Sequence, residues 1–237
     1  EIFTREYAKA HREELERVYG LLADDHSRKV LRDVVEYKLT GDIKLLRGCE
    51  SEPREAWENI LRPGKEEHYM DLGAYTGDTI AEFIGYAGEW RRITALEPDP
   101  VTFAKLEKNT AGLHDCILYR LGAYSRYARL PFAGGAGRGS HLAAGGAMTE
   151  LDSVDNILCG QTVSLINMDV EGMEAEAIAG MAKTLRRHRP KLLIAGYHRS
   201  EDLWRLPLEV LAIQPEYKVY VRHYPCLPAW DVNFYFV

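Results

Sequence analysis

Two textures of apolar patterning divide the chain. Up to about residue 60, apolar residues recur three and four apart among many charges: Val18, Leu21 and Leu22, then Val30, Leu31, Val34 and Val35. That spacing predicts amphipathic helices. Asp24, Asp25 and Ser27 are candidate caps for one of them, and "TGD" at 40–42 breaks the pattern. "RPGKEE" at 62–67 reads as a turn-rich boundary. From residue 68 onward, short apolar runs alternate with amphipathic segments. The runs predict strands near 67–72, 92–96, 116–121, 163–169, 191–197, 217–223 and 231–237. Helices are expected near 77–86, 100–109, 152–158, 173–187 and 202–212. Such alternation predicts an α/β fold with a parallel sheet covered on both faces. The last two strands, in "YKVYVRHYPCLPAWDVNFYFV", leave no room for a helix between them and predict an antiparallel hairpin. The expected organisation is a helical lid or extension over 1–62 and a ligand-binding domain over 63–237. A glycine-rich stretch at 133–146 is expected to be a loop or hairpin tip.

Composition narrows the partners. The chain has 237 residues, 46% of them hydrophobic, which suffices for a sizeable core. Its net charge of −6 argues against nucleic acid or an anionic membrane as partner. No run of about 18 apolar residues exists, and the charged first twenty residues lack a signal peptide's apolar region. Cys49, Cys116, Cys159 and Cys226 are scattered, with no CxxC pair, as expected of reduced thiols in a cytoplasmic protein. The chain starts at Glu1 and stops within "NFYFV", which leaves open a domain cut from a longer protein.

Candidate chemistry gathers at the predicted strand ends. In "YMDLGAYTGDT" a strand ends at Asp71 and turns through Gly73 and Gly77 into a helix at Asp78 and Thr79. Ligands of open α/β sheets bind there, and glycine admits positive φ and close approach. The turn lacks the GxGxxG spacing and the lysine of a P-loop, so it is read as offering a carboxylate and free amides to an ammonium and a carboxylate rather than to a pyrophosphate. In "ALEPDP", Glu97 ends the second strand, where an acid can accept from both hydroxyls of a ribose; the alternative is a solvated loop acid. Pro98 and Pro100 fix the turn and the next helix start. A nucleoside with an amino-acid tail satisfies both features, and S-adenosylmethionine is that molecule. "INMDVEGME" places Asp169, Glu171 and Glu174 at another strand end, although a first-turn acid can also serve the helix dipole alone. His198 follows the fifth strand and is either a general base or a structural histidine. His223 is a weaker candidate of the same kind.

Together, "YMDLGAYTGDT", "ALEPDP", "LGAYS", "INMDVEGMEAEAIAGM" and the segment from "PKLLIAGYHRS" onward resemble the FkbM family of S-adenosylmethionine-dependent methyltransferases, over about residues 15–237. The resemblance implies a Rossmann-like class I methyltransferase fold, with a seven-stranded, mostly parallel sheet and an antiparallel last strand. It implies O-methylation of a sugar or natural-product hydroxyl as the usual chemistry. Carried over, Asp71, Gly73, Ala74, Tyr75, Gly77, Asp78 and Thr79 would form the methionine side of the site. Glu97 and Pro98 would hold the ribose, and Ala123 and Tyr124 would lie near the adenine. Asp169 and Glu171 would face the methyl group and the acceptor. Apart from the resemblance, His198 is read as the general base, with Glu171 orienting or replacing it. One departure stands out: Tyr75 occupies a position where many methyltransferases carry a third glycine, so its side chain is expected to point away from the cofactor. A Mg²⁺ ion held by Asp169, Glu171 and a third oxygen is the less favoured route to activating the acceptor. Two other readings stand beside this one: a non-catalytic cofactor-binding module of a larger protein, and a nicotinamide oxidoreductase, which the missing GxGxxG disfavours. The acceptor and the oligomeric state are not legible in the sequence.

Overall fold

The structure is a computed structural model, and it describes residues 2–133, 141, 142, 147–226, 228, 229 and 231–237. The leading helices are α1 (Arg5–Ala10), α2 (Arg12–Leu21), α3 (Asp25–Thr40), α4 (Ile43–Gly48) and α5 (Pro53–Glu55), the last running into a π-helical turn, Ala56–Leu61. Strand β1 (His68–Leu72), α6 (Asp78–Ala87), β2 (Arg92–Leu96), α7 (Pro100–Thr110) and β3 (Cys116–Tyr119) follow. Next come β4 (Gly122–Ala123), β5 (Ala128–Ala133), β6 (His141–Leu142), β7 (Ala147–Asp152) and α8 (Val154–Leu158). The chain continues through β8 (Leu165–Met168), α9 (Glu174–Gly180), α10 (Ala182–His188), β9 (Lys191–Ala195), α11 (Asp202–Ile213), β10 (Val219–His223) and β11 (Val232–Phe236).

Seven strands form one sheet in the order β10-β11-β9-β8-β1-β2-β3. Parallel ladders join β8 to β1, β1 to β2 and β2 to β3, while β11 runs antiparallel to β9 and β10. The predicted α/β class, mostly parallel sheet and closing antiparallel hairpin are therefore present. Strand β1 is buried at all five positions, as a strand covered on both faces must be.

The chain divides into two compact units, residues 1–61 with 192–237, and residues 62–191. In the first, the cap on α3 is Asp24, whose carboxylate accepts from the Ser27 amide at 2.7 Å. Gly41 ends the helix in the left-handed conformation (φ 73°). Val30, Leu31 and Val34 of α3 are buried, as are Leu203, Leu206 and Val210 of α11 and Val219 and Val221 of β10. Backbone bridges tie the leading segment to β10 at both ends: Leu22 pairs with Val219 and Glu50 with His223, both parallel. Between them lies Arg222, 2% exposed, whose guanidinium donates to both oxygens of Glu55 (2.8 and 3.0 Å), to Asp24 at 2.8 Å and to the Ser27 hydroxyl at 2.8 Å.

The second unit holds β1–β3, β8 and a smaller sheet in the order β4-β7-β5-β6. That sheet was not predicted. Its strands are short, and β5 carries Pro131, which the pattern reads against a strand. Positions 134–140 and 143–146 of the glycine-rich stretch lie outside the described residues. The single helix expected over 173–187 is two, broken at Met181. Apolar residues Ala177, Ile178, Met181 and Leu185 run across the break with unbroken periodicity, so the pattern conceals it. A cap distant in sequence marks the second start: the Asp155 carboxylate accepts from the amides of Lys183 (3.0 Å) and Thr184 (2.8 Å).

Candidate functional site

The glycine turn after β1 is built from the inside. Asp71, the penultimate residue of β1, has no exposed surface. Its Oδ1 accepts from the Asn167 side chain at 2.9 Å, and Oδ2 accepts from the Thr79 hydroxyl at 2.5 Å and the Tyr69 hydroxyl at 3.2 Å. Asn167 lies opposite Asp71 in the β1–β8 register. The turn's amides are also committed. Those of Gly73 and Ala74 both donate to the Leu96 carbonyl (3.0 and 2.9 Å), that of Tyr75 to Glu97, and that of Gly77 to the Ala74 carbonyl at 2.8 Å. This corrects the expectation of an accessible carboxylate and free amides: the turn spends these groups on its own shape and on joining β1 to β2.

Glycine at 73 has two causes. Its φ is +87°, and a β-carbon there would sit well inside van der Waals distance of the Asp169 carbonyl oxygen. The close approach is thus to the chain leaving β8. Gly77 (φ +90°) caps α6, where a β-carbon would meet Leu106 Cδ1 at 3.2 Å. Tyr75 adopts φ +48°, the left-handed region, at a cost of about 1–2 kcal/mol for a non-glycine residue. The conformation that glycine serves elsewhere is therefore kept here with a side chain. Ala74 is buried, Thr79 half-buried, and Asp78 exposed in the first turn of α6.

Glu97 follows β2 and is 7% exposed. One oxygen accepts from the Tyr75 amide at 3.0 Å, the other from the Asp99 amide at 2.8 Å. Burial pushes its carboxyl up to about 7, against these two amides, which favour the ionised form; the charges of Asp99 and Asp71 add to the rise. Asp99 in turn caps α7, accepting from Val101 (3.0 Å) and Thr102 (2.8 Å), and Pro100 opens that helix as predicted, with Pro98 half-buried before it. Burial likewise raises Asp71 to about 6, opposed by Thr79, Asn167 and Tyr69.

Asp169 and Glu171 follow β8 and are half-buried. The Asp169 amide continues the ladder, donating to the Leu72 carbonyl at 3.0 Å. Glu171 and Gly172 both have positive φ, +53° and +90°, so a non-glycine residue is held in a costly conformation at this strand end. Glu174 braces the bend: its buried carboxylate accepts from the amides of Val170 and Gly172, each at 3.2 Å. That hydrogen bonding gives it a structural part beyond the helix dipole. Ala123 is buried in β4, and the Tyr124 amide donates to the Asp152 carbonyl at 2.9 Å. Gly180 of α9 packs so tightly on the Tyr124 carbonyl that no β-carbon fits.

His198 belongs to the other unit, three residues beyond β9. It is half-buried and its ring lies 4.3 Å from that of Tyr197. His223, in the same unit, is buried in β10, and burial holds its imidazole below the usual range. Within residues 62–191, then, the structure brings Asp71, Gly73, Tyr75, Thr79 and Glu97 into one hydrogen-bonded turn. It adds Asn167, which the sequence reading passed over; a lone amide in the apolar run "LINM" was the available signal.

The chain's similarities agree with this architecture. The "Methyltransferase FkbM domain" family matches residues 71–220, more than half of the chain. No curated protein matches it by sequence. Among solved structures, methyltransferase FkbM from Methylobacillus flagellatus KT superposes with a TM-score of 0.85 at 26% identity, over 97% of this chain and 60% of that one. The chain thus spans three-fifths of that protein's length. Fibrillarin from Aeropyrum pernix, in complex with natively bound S-adenosyl-L-methionine, gives a TM-score of 0.50 at 14% identity, over 78% and 71% of the two chains. An rRNA methylase from Streptococcus thermophilus gives 0.50 at 14%, over 78% and 96%. These last two share the fold. No helix among the described residues is long and apolar enough to cross a membrane. By its family match and its sheet order, the chain belongs to the FkbM methyltransferase-domain family.

Proposed function

We propose that the chain transfers a methyl group from S-adenosylmethionine to a hydroxyl of a small-molecule acceptor of the sugar or natural-product kind. The observation that carries this reading is Glu97. An ionised carboxylate has about four lone-pair positions. Two are taken by the Tyr75 and Asp99 amides, one on each oxygen. One remains on each, a pair suited to the two hydroxyls of a ribose, at the strand end where open α/β sheets bind nucleosides.

In this reading Glu97 holds the ribose, the turn 73–77 lines the methionine part, and Ala123 and Tyr124 lie on the adenine side. When bound, the cofactor supplies an electrophilic methyl on a sulfonium. The chain's task is to align the acceptor oxygen with that carbon, exclude water and take the hydroxyl proton. His198 is proposed as the proton acceptor, with Asp169 and Glu171 orienting the acceptor. The leading helices, residues 1–62, are proposed to limit which acceptors enter.

Calorimetry with S-adenosylhomocysteine tests the cofactor, with NAD⁺ as control. Micromolar binding to the wild type, lost in Glu97→Ala, is expected; binding of NAD⁺ instead would replace the reading with a dehydrogenase. Transfer of a labelled methyl tests the chemistry across an acceptor panel. His198→Ala is expected to cut turnover at least a hundredfold while sparing cofactor binding, and unchanged turnover would remove His198 from the mechanism.

A further inference from the structure

Asp71 lies one residue before the end of β1, at the edge where open α/β sheets bind their ligands, yet it has no exposed surface. Its three side-chain donors come from three elements: Tyr69 from β1, Asn167 from β8 and Thr79 from the first turn of α6. The carboxylate is therefore enclosed by the loop 71–79, at the root of the turn assigned above to the methionine part. Every one of these donors is neutral. The charged groups that face it are acids, Asp78 on α6 and Glu97 after β2, with Glu82 of α6 beside Tyr69. A buried carboxylate held by hydroxyls and an amide keeps its field, because little solvent intervenes to screen it. No cation among these partners consumes it.

We propose that Asp71 acts on the cofactor site through its charge from within the turn, favouring a ligand with a cation at the sulfur position, and that Asn167 and Thr79 are the positioning residues that keep it ionised. This rests on the reading of the site as one for S-adenosylmethionine, whose sulfonium becomes a neutral thioether in the product. The ionised state then holds the substrate form of the cofactor more tightly than the product form. Protonation of Asp71, whose burial raises it to about 6, abolishes the preference.

The test compares two stable ligands by calorimetry from pH 5 to 8: S-adenosylhomocysteine, with neutral sulfur, and sinefungin, with a charged amine in its place. Carbon-detected NMR follows the Asp71 and Glu97 carboxyls in the ligand-free protein. The wild-type ratio of sinefungin to S-adenosylhomocysteine affinity is expected to fall about tenfold as Asp71 protonates. Asn167→Leu and Thr79→Val each remove a donor and move that fall, with the Asp71 titration, up by about one pH unit. Thr79→Ser restores the wild-type midpoint. Glu97 keeps both its amide donors in every variant, so its carboxyl moves little, and downward as Asp71 loses charge. Should Asn167→Leu fail to fold, the Thr79 pair, at a half-buried helix position, carries the same comparison. A ratio independent of pH with both ligands bound, or an Asp71 midpoint that Thr79→Val leaves unmoved, overturns the proposal. Failure of the wild type to bind either ligand instead overturns the cofactor reading beneath it.

Discussion

Burying Glu97 has a consequence for stability that a pH series can isolate. Its carboxyl rises from the usual 4.5 to about 7 on folding. Between those two values the native state keeps a proton that the unfolded chain has released. Stability therefore falls as pH rises through this window, and Glu97 adds no slope on either side of it. Each tenfold in the proton equilibrium is about 1.4 kcal/mol, so the whole fall is about 3 kcal/mol. Glu97→Gln removes this titration, and beyond it only the smaller coupling of Glu97 to Asp71 and Asp99 changes. Its amide group will face one of the two backbone N–H groups it now satisfies, which lowers stability by about 1–3 kcal/mol, but equally at every pH. Urea denaturation of both proteins at pH 5 and pH 8 gives four values, and the difference of differences cancels the groups that Glu97 does not touch. The variant is expected to lose about 2.5 kcal/mol less than the wild type between the two pH values. Parallel profiles would refute the argument, because they would mean that Glu97 is ionised in the native state throughout.

Three further substitutions probe the frame. Gly73→Ala combines a positive φ with a β-carbon driven into the Asp169 carbonyl, and should cost about 3 kcal/mol in the denaturation midpoint. Arg222→Met leaves Asp24 and Glu55 without their shared cation; with each about one-third exposed, a loss of about 3 kcal/mol is expected, read by the same assay. Asp155→Ala uncaps α10 and should cost about 1 kcal/mol, with faster amide exchange at Lys183 and Thr184.

What the sequence disclosed was whatever is local. The period of Val30, Leu31 and Val34, the Asp24 cap, the Pro100 helix start and the strands flanking each turn all depend on neighbours within a few residues. The mostly parallel sheet and its antiparallel hairpin agreed because alternation and a loop too short for a helix leave few topologies. Contacts between distant segments were not legible. Asp155 caps a helix that begins 27 residues later, and Gly73 is glycine partly because of Asp169, just past another strand. The burial of Asp71 was hidden for the same reason: a carboxylate at a strand end reads as accessible, and only the positions of Asn167 and Thr79 show its oxygens already engaged. The position of Glu97 after β2 was legible, but its burial and its two amide donors depend on how 73–77 folds over it.

The bridges from Leu22 and Glu50 to β10, with Arg222 locked between them, bear on the order in which the chain can fold. The unit formed by 1–61 and 192–237 takes its partners from segments that leave the ribosome far apart in time. At about 5–20 residues per second, Glu55 waits roughly 10–30 s for Arg222 to be made. Meanwhile the continuous segment 62–191 has all of its own contacts available. It is positioned to fold first, and the early helices, whose buried faces await α11 and β10, are the part of the nascent chain most in need of shielding from other chains.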